Sequence, residues 1–257
     1  MMNTINWKLK EHRQILDSGV KHNLLLDLVS TKYKKNAYEM WKKFPRERAE
    51  QLGCTFSDKT PSDSLREVFV ENIYNVKGFV PKAGEVVVDV GANYGDTAIW
   101  WSKIHGAQVH AFEPLTNVYT ELERNVSFNS ANVVTYNTAL GSGERISGTD
   151  DGYMLTFSNS AASILFDSRK LDDFNFERVD LLKIDVEGFE YSVLKGASST
   201  IQKHMPRIIL ETHSSSLFSQ CDSFLRQFGY SIREEGPRGT TYLSWMDQIR
   251  NLFYSPS

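Results

Sequence analysis

Two patterns of apolar positions divide the chain near residue 80. Before it, apolar residues recur at steps of three to five, which predicts amphipathic helices with one buried stripe. Pro45 is predicted to end this stripe, because proline interrupts a helix. We therefore predict a helical N-terminal extension over 1–80, a lid or oligomerisation element that does not fold independently, and a second domain over 81–257. The stripe consists of Leu25, Leu28, Val29, Tyr33, Ala37, Trp41 and Phe44.

After Pro81, short β-branched runs alternate with stretches of helical periodicity. Such alternation is typical of βαβ crossovers, so it predicts an α/β fold built on a parallel sheet. The predicted strands are 85–90, 108–112, 133–136, 179–184 and 207–210. The predicted helices are 96–104, 116–129, a helix that follows Gly188 and runs to Ile201, and about 217–228.

A long polar segment interrupts this alternation at residues 141–178. It holds glycine, serine, asparagine and aspartate with scattered apolar residues. Loops of this length inside a compact domain are usually functional or contain minor strands of their own. We therefore predict a hairpin here that partly covers a ligand site.

The composition of the 257 residues is that of an ordinary globular protein, with 40% hydrophobic and 24% charged residues. No apolar run approaches the roughly 18 residues of a membrane helix, and the first residues lack the apolar core of a signal peptide. Cys54 and Cys221 lie far apart and neither forms a CxxC pair, which argues against a disulfide framework or a zinc site. A reducing cytoplasm is therefore the predicted location.

Charge is distributed unevenly along the chain, whose net charge is −3. Residues 1–50 carry 11 lysines and arginines against 6 aspartates and glutamates, so this segment has a net charge of +5 and the remainder −8. A basic arm can bind nucleic acid, an anionic membrane or an acidic substrate. The solvated face of an amphipathic helix explains the same charges, and we favour it, so a nucleic-acid partner is not expected.

The turn after the first predicted strand has the features of a ligand site, since α/β sheets bind ligands at the carboxyl ends of their strands. Gly91 and Gly95 allow close backbone approach. A dinucleotide turn needs a glycine where Asn93 stands, and Asp89 before the turn would repel phosphates but suit a cation. Glu113 ends the second strand, 24 residues after Asp89, where a carboxylate can accept both hydroxyls of a ribose. S-adenosylmethionine, a nucleoside with a sulfonium and an ammonium group, meets both requirements.

The residues beside this turn are candidates for the remaining parts of the ligand. Tyr94, inside the glycine turn, is predicted to border the methionine end. The adenine ring should lie between the ends of the second and third strands. There it would contact one of Leu115, Asn137, Thr138, Ala139 and Leu140.

Five motifs along the second domain are 87–95 (VVDVGANYG), 111–114 (AFEP), 182–190 (LKIDVEGFE), 194–197 (LKGA) and 206–213 (PRIILETH). Together they resemble the FkbM-type methyltransferase family over about residues 70–235. The resemblance implies a Rossmann-like sheet of seven strands, S-adenosylmethionine as methyl donor, and methylation of a hydroxyl group on a sugar or secondary metabolite. The residues before and after this region lie outside the resemblance, and such additions generally select the acceptor.

Acidic and histidine side chains are predicted to meet on one rim of the sheet. Asp185 ends the fourth strand, Glu187 follows at its tip, and Glu211 and His213 alternate onto one face at the end of the fifth. His213 is the predicted general base, since an ordinary pKa of about 6.5 lets it accept a proton at neutral pH. Glu211 would orient it or act in its place, and Asp185 or Glu187 would hold the acceptor or the donor's ammonium group.

Other interpretations of these residues stay open. Lys183 and Asp185 would form a structural ion pair, and His213 would cap the next helix. The four rim residues are also hard ligands suited to Mg²⁺ or Mn²⁺, although we do not favour a metal. For the chain as a whole, the competing functions are a nicotinamide-dependent oxidoreductase and a non-catalytic nucleoside-binding protein of the same fold. The missing GxGxxG pattern counts against the oxidoreductase.

Overall fold

The computed structural model describes residues 43–150, 155–157, 164–235 and 250–257. Most of the predicted N-terminal stripe and most of the basic segment therefore lie outside the described residues. Residues 43–51 are helical, so the prediction that Pro45 ends the helical pattern is wrong. The helical turn after Pro45 is closed by its own hydrogen bonds, since the N–H of Leu52 lies 3.3 Å from the carbonyl of Arg48. One proline removes a single donor and leaves those bonds intact.

Ten strands are present in the described residues. They are β1 Val86–Val90, β2 Gln108–Phe112, β3 Val133–Tyr136, β4 Arg145–Asp150, β5 Leu155–Phe157, β6 Ile164–Asp167, β7 Leu181–Ile184, β8 Arg207–Thr212, β9 Tyr230–Glu235 and β10 Arg250–Pro256. Seven of them form one sheet in the order β3-β2-β1-β7-β8-β10-β9. The first five strands in this order, β3, β2, β1, β7 and β8, pair in parallel with one another, and β10 is antiparallel to both of its neighbours. The predicted α/β fold with a mostly parallel seven-stranded sheet is confirmed.

The helices connect these strands as crossovers. They are α1 Ser62–Arg66, α2 Asp96–His105, α3 Thr116–Asn129, α4 Glu190–Gly196, α5 Ser198–His204 and α6 Ser215–Gln227, with a π-helical turn at Glu67–Glu71. The single helix predicted to run to Ile201 is two helices that meet at Ala197. The loop at Gly141 passes so close to Gly196 that a Cβ atom on Gly196 would overlap with the carbonyl of Gly141. None of the helices in the described ranges has the length and apolar character needed to cross a membrane.

The main sheet is covered on both faces. Strand β1 alternates between them, with Val87 in one apolar cluster and Val88 and Val90 in the other. The cluster that contains Val87 also contains apolar residues of the segment before the sheet, among them Leu65 and Phe69. Residues 45–257 form one compact unit, so this segment shares the core of the sheet. The domain boundary at residue 80 stays a prediction.

The segment 141–178 contains a second, smaller sheet of three strands, where a two-stranded hairpin was predicted. Strand β4 pairs antiparallel with β5 and with β6, which gives the order β5-β4-β6. Phe166 of β6 packs against Tyr94, Leu115 and Val118 beside the glycine turn. The small sheet therefore contacts the residues that surround the predicted ligand site.

Replacing Gly91 by alanine should destabilise the fold more than the same change at Gly84. The two glycines have φ values of +79° and +78°, so alanine at either position costs roughly 1–2 kcal/mol of backbone strain. Only at Gly91 would the new Cβ atom overlap with another backbone atom, the carbonyl oxygen of Asp185, which should cost about 2 kcal/mol more. Urea denaturation of both variants measures the difference, and equal free energies of unfolding would contradict it.

Candidate functional site

A cleft opens at the carboxyl ends of β1, β2 and β7 and has a volume of about 650 Å³, including the part open to solvent. This is the edge at which ligands bind in sheets of this type. Its lining includes most of the residues predicted to bind the donor. They are Gly91, Asn93, Glu113, Leu115, Thr138, Ala139 and Asp185, with Val90, Phe112, Pro114, Leu140, Val186 and Glu187 between them.

The glycine turn after β1 brings its backbone across the end of the sheet. Gly91, Asn93 and Gly95 all have positive φ, at 79°, 49° and 84°, and asparagine tolerates this conformation better than most residues. Gly91 has no space for a side chain beside Asp185. Gly95 faces away from the cleft, because a Cβ atom there would overlap with Leu122 of α3. Its role is therefore helix packing, which differs from the predicted contact with the donor.

Tyr94 also lies elsewhere than predicted. Its side chain is buried against Leu115, Val118 and Phe166, and it does not line the cleft. A tyrosine ring buries a large apolar area, which explains why the core takes it. The predicted contact of Tyr94 with the methionine end of a donor is not supported by this placement.

Glu113 is a buried carboxylate on the wall of the cleft. Its Oε2 accepts the N–H of Asn93 at 3.1 Å, and its Oε1 accepts the N–H of Leu115 at 2.9 Å. Burial raises the pKa of Glu113 to about 7, although these two hydrogen bonds oppose the rise. A carboxylate has about four acceptor positions, so two remain for a ligand in the cleft.

Asp89 lies below the turn and is fully buried. Its Oδ1 is 3.0 Å from Nζ of Lys183, to which it is also paired in the register of β1 and β7. Burial raises the pKa of Asp89 to about 6, and the charge of Lys183 opposes that rise. Asp89 does not line the cleft, so the predicted direct contact between Asp89 and a cationic ligand is not supported by this placement. The alternation of β1 turns the side chain into the layer below.

Lys183 joins two carboxylates and one backbone carbonyl at the end of β7. Besides Asp89, its Nζ lies 3.3 Å from the carbonyl of Gly91 and 3.6 Å from Oδ2 of Asp185. Burial by itself would lower the pKa of Lys183, but the charges of Asp89 and Asp185 raise it above its ordinary value. The ion pair considered between Lys183 and Asp185 therefore exists, and it is the longer of two pairs that this lysine makes.

The residues predicted to share one rim do lie together. Nε2 of His213 is 3.1 Å from Oε2 of Glu187 and 3.8 Å from Oε1 of Glu211. Ligand atoms of Asp185, Glu211 and His213 all lie within 4.8 Å of one another. On its other side, Nδ1 of His213 is 2.5 Å from Oε1 of the buried Glu190, so this imidazole is held between carboxylates.

The protonation of this group differs from the prediction. Burial by itself would lower the pKa of His213, but its hydrogen bonds to Glu187 and Glu190 raise it to about 12. At neutral pH the imidazole is therefore a cation, which disagrees with the predicted role of general base. Burial and the charge of Asp185 raise the pKa of Glu211 well above its ordinary value, and the charge of His213 opposes this rise.

Two residues of the site were not predicted from the sequence. Glu190 follows Glu187 by three residues within the fourth-strand motif, so its spacing could have placed it beside the rim. Tyr74 lies more than a hundred residues before Asp185, and its hydroxyl is 3.4 Å from Oδ2 of that residue. Nothing in the local pattern around Tyr74 indicates this contact, which depends on the tertiary fold.

Comparison with known proteins agrees with this geometry. The family model described as Methyltransferase FkbM domain matches residues 89–232. The chain is 28% identical over 226 residues to the AMB antimetabolite synthetase AmbE of Pseudomonas aeruginosa, a match that covers 66% of this chain and 11% of AmbE. It is 24% identical over 205 residues to Methyltransferase 1 of Beauveria bassiana, and there the match covers 67% of this chain and 82% of that protein.

A solved structure supports the fold. The crystal structure of Methyltransferase FkbM from Methylobacillus flagellatus superimposes with a TM-score of 0.55 at 20% sequence identity, over 83% of this chain and 57% of that one. The chain thus spans little more than half of that structure and about a ninth of AmbE. Because the family model covers more than half of the residues, the chain belongs to the FkbM methyltransferase family.

Proposed function

We propose that this protein transfers a methyl group from S-adenosylmethionine to a hydroxyl group of a sugar or secondary metabolite. The observation that carries the proposal is the position of Glu113, a buried carboxylate on the cleft wall whose two oxygens each keep an acceptor position beyond their backbone bonds. A ribose diol offers two hydroxyl donors to such a group. When bound, S-adenosylmethionine supplies a methyl group that is activated by the sulfonium.

The remaining cleft residues fit the other parts of this donor. Gly91 and Asn93 of the glycine turn line the cleft, and Gly91 has no room for a side chain beside the carbonyl of Asp185. Leu115, Ala139 and Leu140 form an apolar wall that suits an adenine ring. Asp185 is the carboxylate of the cleft that suits the donor's ammonium group, because its side chain is partly exposed there while Asp89 is not.

We assign the role of general base to Glu211, which takes the place first given to His213. Glu211 does not itself line the cleft, but one of its carboxylate oxygens lies within 4.8 Å of the cleft-lining Asp185. An acceptor hydroxyl must lose its proton as its oxygen bonds to the methyl carbon and the bond between that carbon and sulfur breaks, and the charge of His213 favours the ionised form of Glu211 that can accept this proton. His213 would support this base as a neighbouring cation, with the N–H of Nδ1 donated to Glu190 at 2.5 Å. Glu187, 3.1 Å from Nε2, completes the hydrogen bonds of this cation.

The nature of the acceptor is supported by chemistry and by one relative. A hydroxyl acceptor needs a base beside the cleft. Its proton is held more tightly than the proton of the ammonium group that forms when a neutral amine is methylated. AmbE is an antimetabolite synthetase, which is consistent with a secondary metabolite as acceptor. The family to which the chain belongs favours methyl transfer over the competing nicotinamide-dependent oxidoreductase.

A divalent metal is the alternative way to activate the acceptor, with Asp185, Glu211 and His213 as ligands. Two contacts disfavour it: Nζ of Lys183 lies 3.6 Å from Asp185, and Nε2 of His213 faces Glu187 at 3.1 Å. We therefore predict that methyl transfer continues after dialysis against EDTA. Loss of activity that added Mg²⁺ or Mn²⁺ restores would contradict this prediction and support the metal.

Affinity for S-adenosylhomocysteine should rise with pH through the pKa of Glu113. The free protein holds this carboxyl largely protonated at pH 6, and two ribose hydroxyls require the ionised form, so binding at that pH must displace a proton. Calorimetry should show about tenfold tighter binding at pH 8 than at pH 6 for a group that titrates near 7. Glu113→Gln should bind more weakly and lose this dependence, and an unchanged dependence in the variant would assign it to another group.

Glu211→Gln should abolish methyl transfer without weakening donor binding. The loss of a general base typically costs a factor of about 10²–10⁴ in turnover. Cell extract incubated with the protein and S-adenosylmethionine labelled in the methyl group would be searched by mass spectrometry for labelled products. Glu123→Gln, the same change at an exposed position on α3, is the matched control and should act like the unchanged protein.

The outcomes of this experiment separate the competing functions. A product that forms equally well with Glu211→Gln would remove Glu211 from the mechanism. Binding of S-adenosylhomocysteine without any labelled product over a broad range of extracts would favour the non-catalytic nucleoside-binding protein. Failure to bind S-adenosylhomocysteine would overturn the proposed function itself.

A further inference from the structure

Tyr74 is a buried tyrosine from the segment between the π-helical turn and β1, before the residues that match the family model. Its ring packs against Trp101 of α2, with ring centroids 6.0 Å apart. The same ring lies 5.6 Å from Nζ of Lys183. Its hydroxyl is directed at the cleft-lining residue Asp185, 3.4 Å from Oδ2. Tyr74 thus reaches the edge of the cleft from the core beneath it.

One oxygen of Asp185 is held from two directions. Nζ of Lys183 lies 3.6 Å from Oδ2, and the hydroxyl of Tyr74 approaches the same oxygen. Lys183 is itself fixed by Asp89 at 3.0 Å and by the carbonyl of Gly91 at 3.3 Å. The Oδ2 side of this carboxylate therefore has fixed neighbours, while the residue lines the cleft.

We propose that Tyr74 is a positioning residue, which together with Lys183 fixes the carboxylate of Asp185 to receive the ammonium group of the methyl donor. The proposal rests on the proposed function, since it assumes that S-adenosylmethionine occupies the cleft. Tyr74 lies outside the residues that match the family model, and the proposal gives it a part in binding the amino-acid end of the donor.

A neutral hydroxyl suits this task better than a second cation would. Lys183 already neutralises part of the charge at Asp89 and Asp185, and another cation would remove the attraction of Asp185 for an ammonium group. Burial and then the charge of Asp185 raise the pKa of Tyr74 well above its ordinary value, so the phenol keeps its proton and remains a donor. Tyr74 therefore orients the carboxylate without neutralising it.

Tyr74→Phe tests the proposal, because it removes the hydroxyl and keeps the ring in the core. Calorimetry would compare two ligands: S-adenosylhomocysteine, and 5′-methylthioadenosine, which has the adenosine but lacks the ammonium and carboxylate groups. We expect S-adenosylhomocysteine to bind roughly three- to tenfold more weakly to the variant, as for the loss of one ordinary hydrogen bond, because the hydroxyl acts on the ligand only through Asp185. The affinity for 5′-methylthioadenosine should not change.

Tyr254→Phe is the matched control. The hydroxyl of Tyr254 also contacts an aspartate, Asp222 at 3.2 Å, but it does so on β10, away from the residues that line the cleft. This variant should bind both ligands like the unchanged protein. Thermal melting of each variant shows whether it is folded.

Asp185→Asn completes the test and does not depend on the folding of the tyrosine variant. It should weaken the binding of S-adenosylhomocysteine and leave that of 5′-methylthioadenosine unchanged. Adding Tyr74→Phe to it should cause no further loss of affinity, because both changes act through one carboxylate. Three outcomes would each overturn the proposal. Tyr74→Phe could weaken the binding of both ligands equally, or weaken the binding of neither. Its loss of affinity could also add to that of Asp185→Asn. If the unchanged protein binds both 5′-methylthioadenosine and S-adenosylhomocysteine, but Tyr74→Phe does not selectively weaken the binding of S-adenosylhomocysteine, the proposed function survives without this inference.

Discussion

A buried lysine between two parallel strands organises the candidate site. Lys183 of β7 bonds to Asp89 of β1, to the carbonyl of Gly91 in the glycine turn, and to Asp185 at the edge of the cleft. Removing one partner of a buried ion pair typically costs about 3–5 kcal/mol, because the other charge stays behind without compensation. The register of the central strands, the turn and the cleft wall therefore depend on the same cation.

A second cation explains how so many carboxylates can gather at one edge of the sheet. His213 lies between Glu187 and Glu190 and near Glu211, and its charge offsets their mutual repulsion. Glu113, on the wall of the cleft, has no such cation bonded to it among the described residues and is held by backbone N–H groups instead. Different surroundings give chemically identical groups different proton affinities, which is how one site can separate a ligand-binding carboxylate from a base.

The segment before the sheet belongs to this arrangement as well. Tyr74 contacts Asp185, and the hydroxyl of Ser64 in α1 donates to Asp96 at the start of α2. Leu65 and Phe69 share an apolar cluster with the sheet. The residues that match the family model therefore do not complete the site alone, and part of its support comes from residues that precede that match.

The sequence by itself determined the five parallel strands, their alternation with helices, the glycine turn and most of the cleft lining. These follow from local periodicity and from the rule that parallel strands end at one edge of the sheet. Only the tertiary structure decided that Asp89 points away from the cleft, that His213 is a cation, and that Tyr74 reaches Asp185. Alternation along a strand tells which residues share a face, but the direction of that face and the charges around it come from strands and segments far away in the chain.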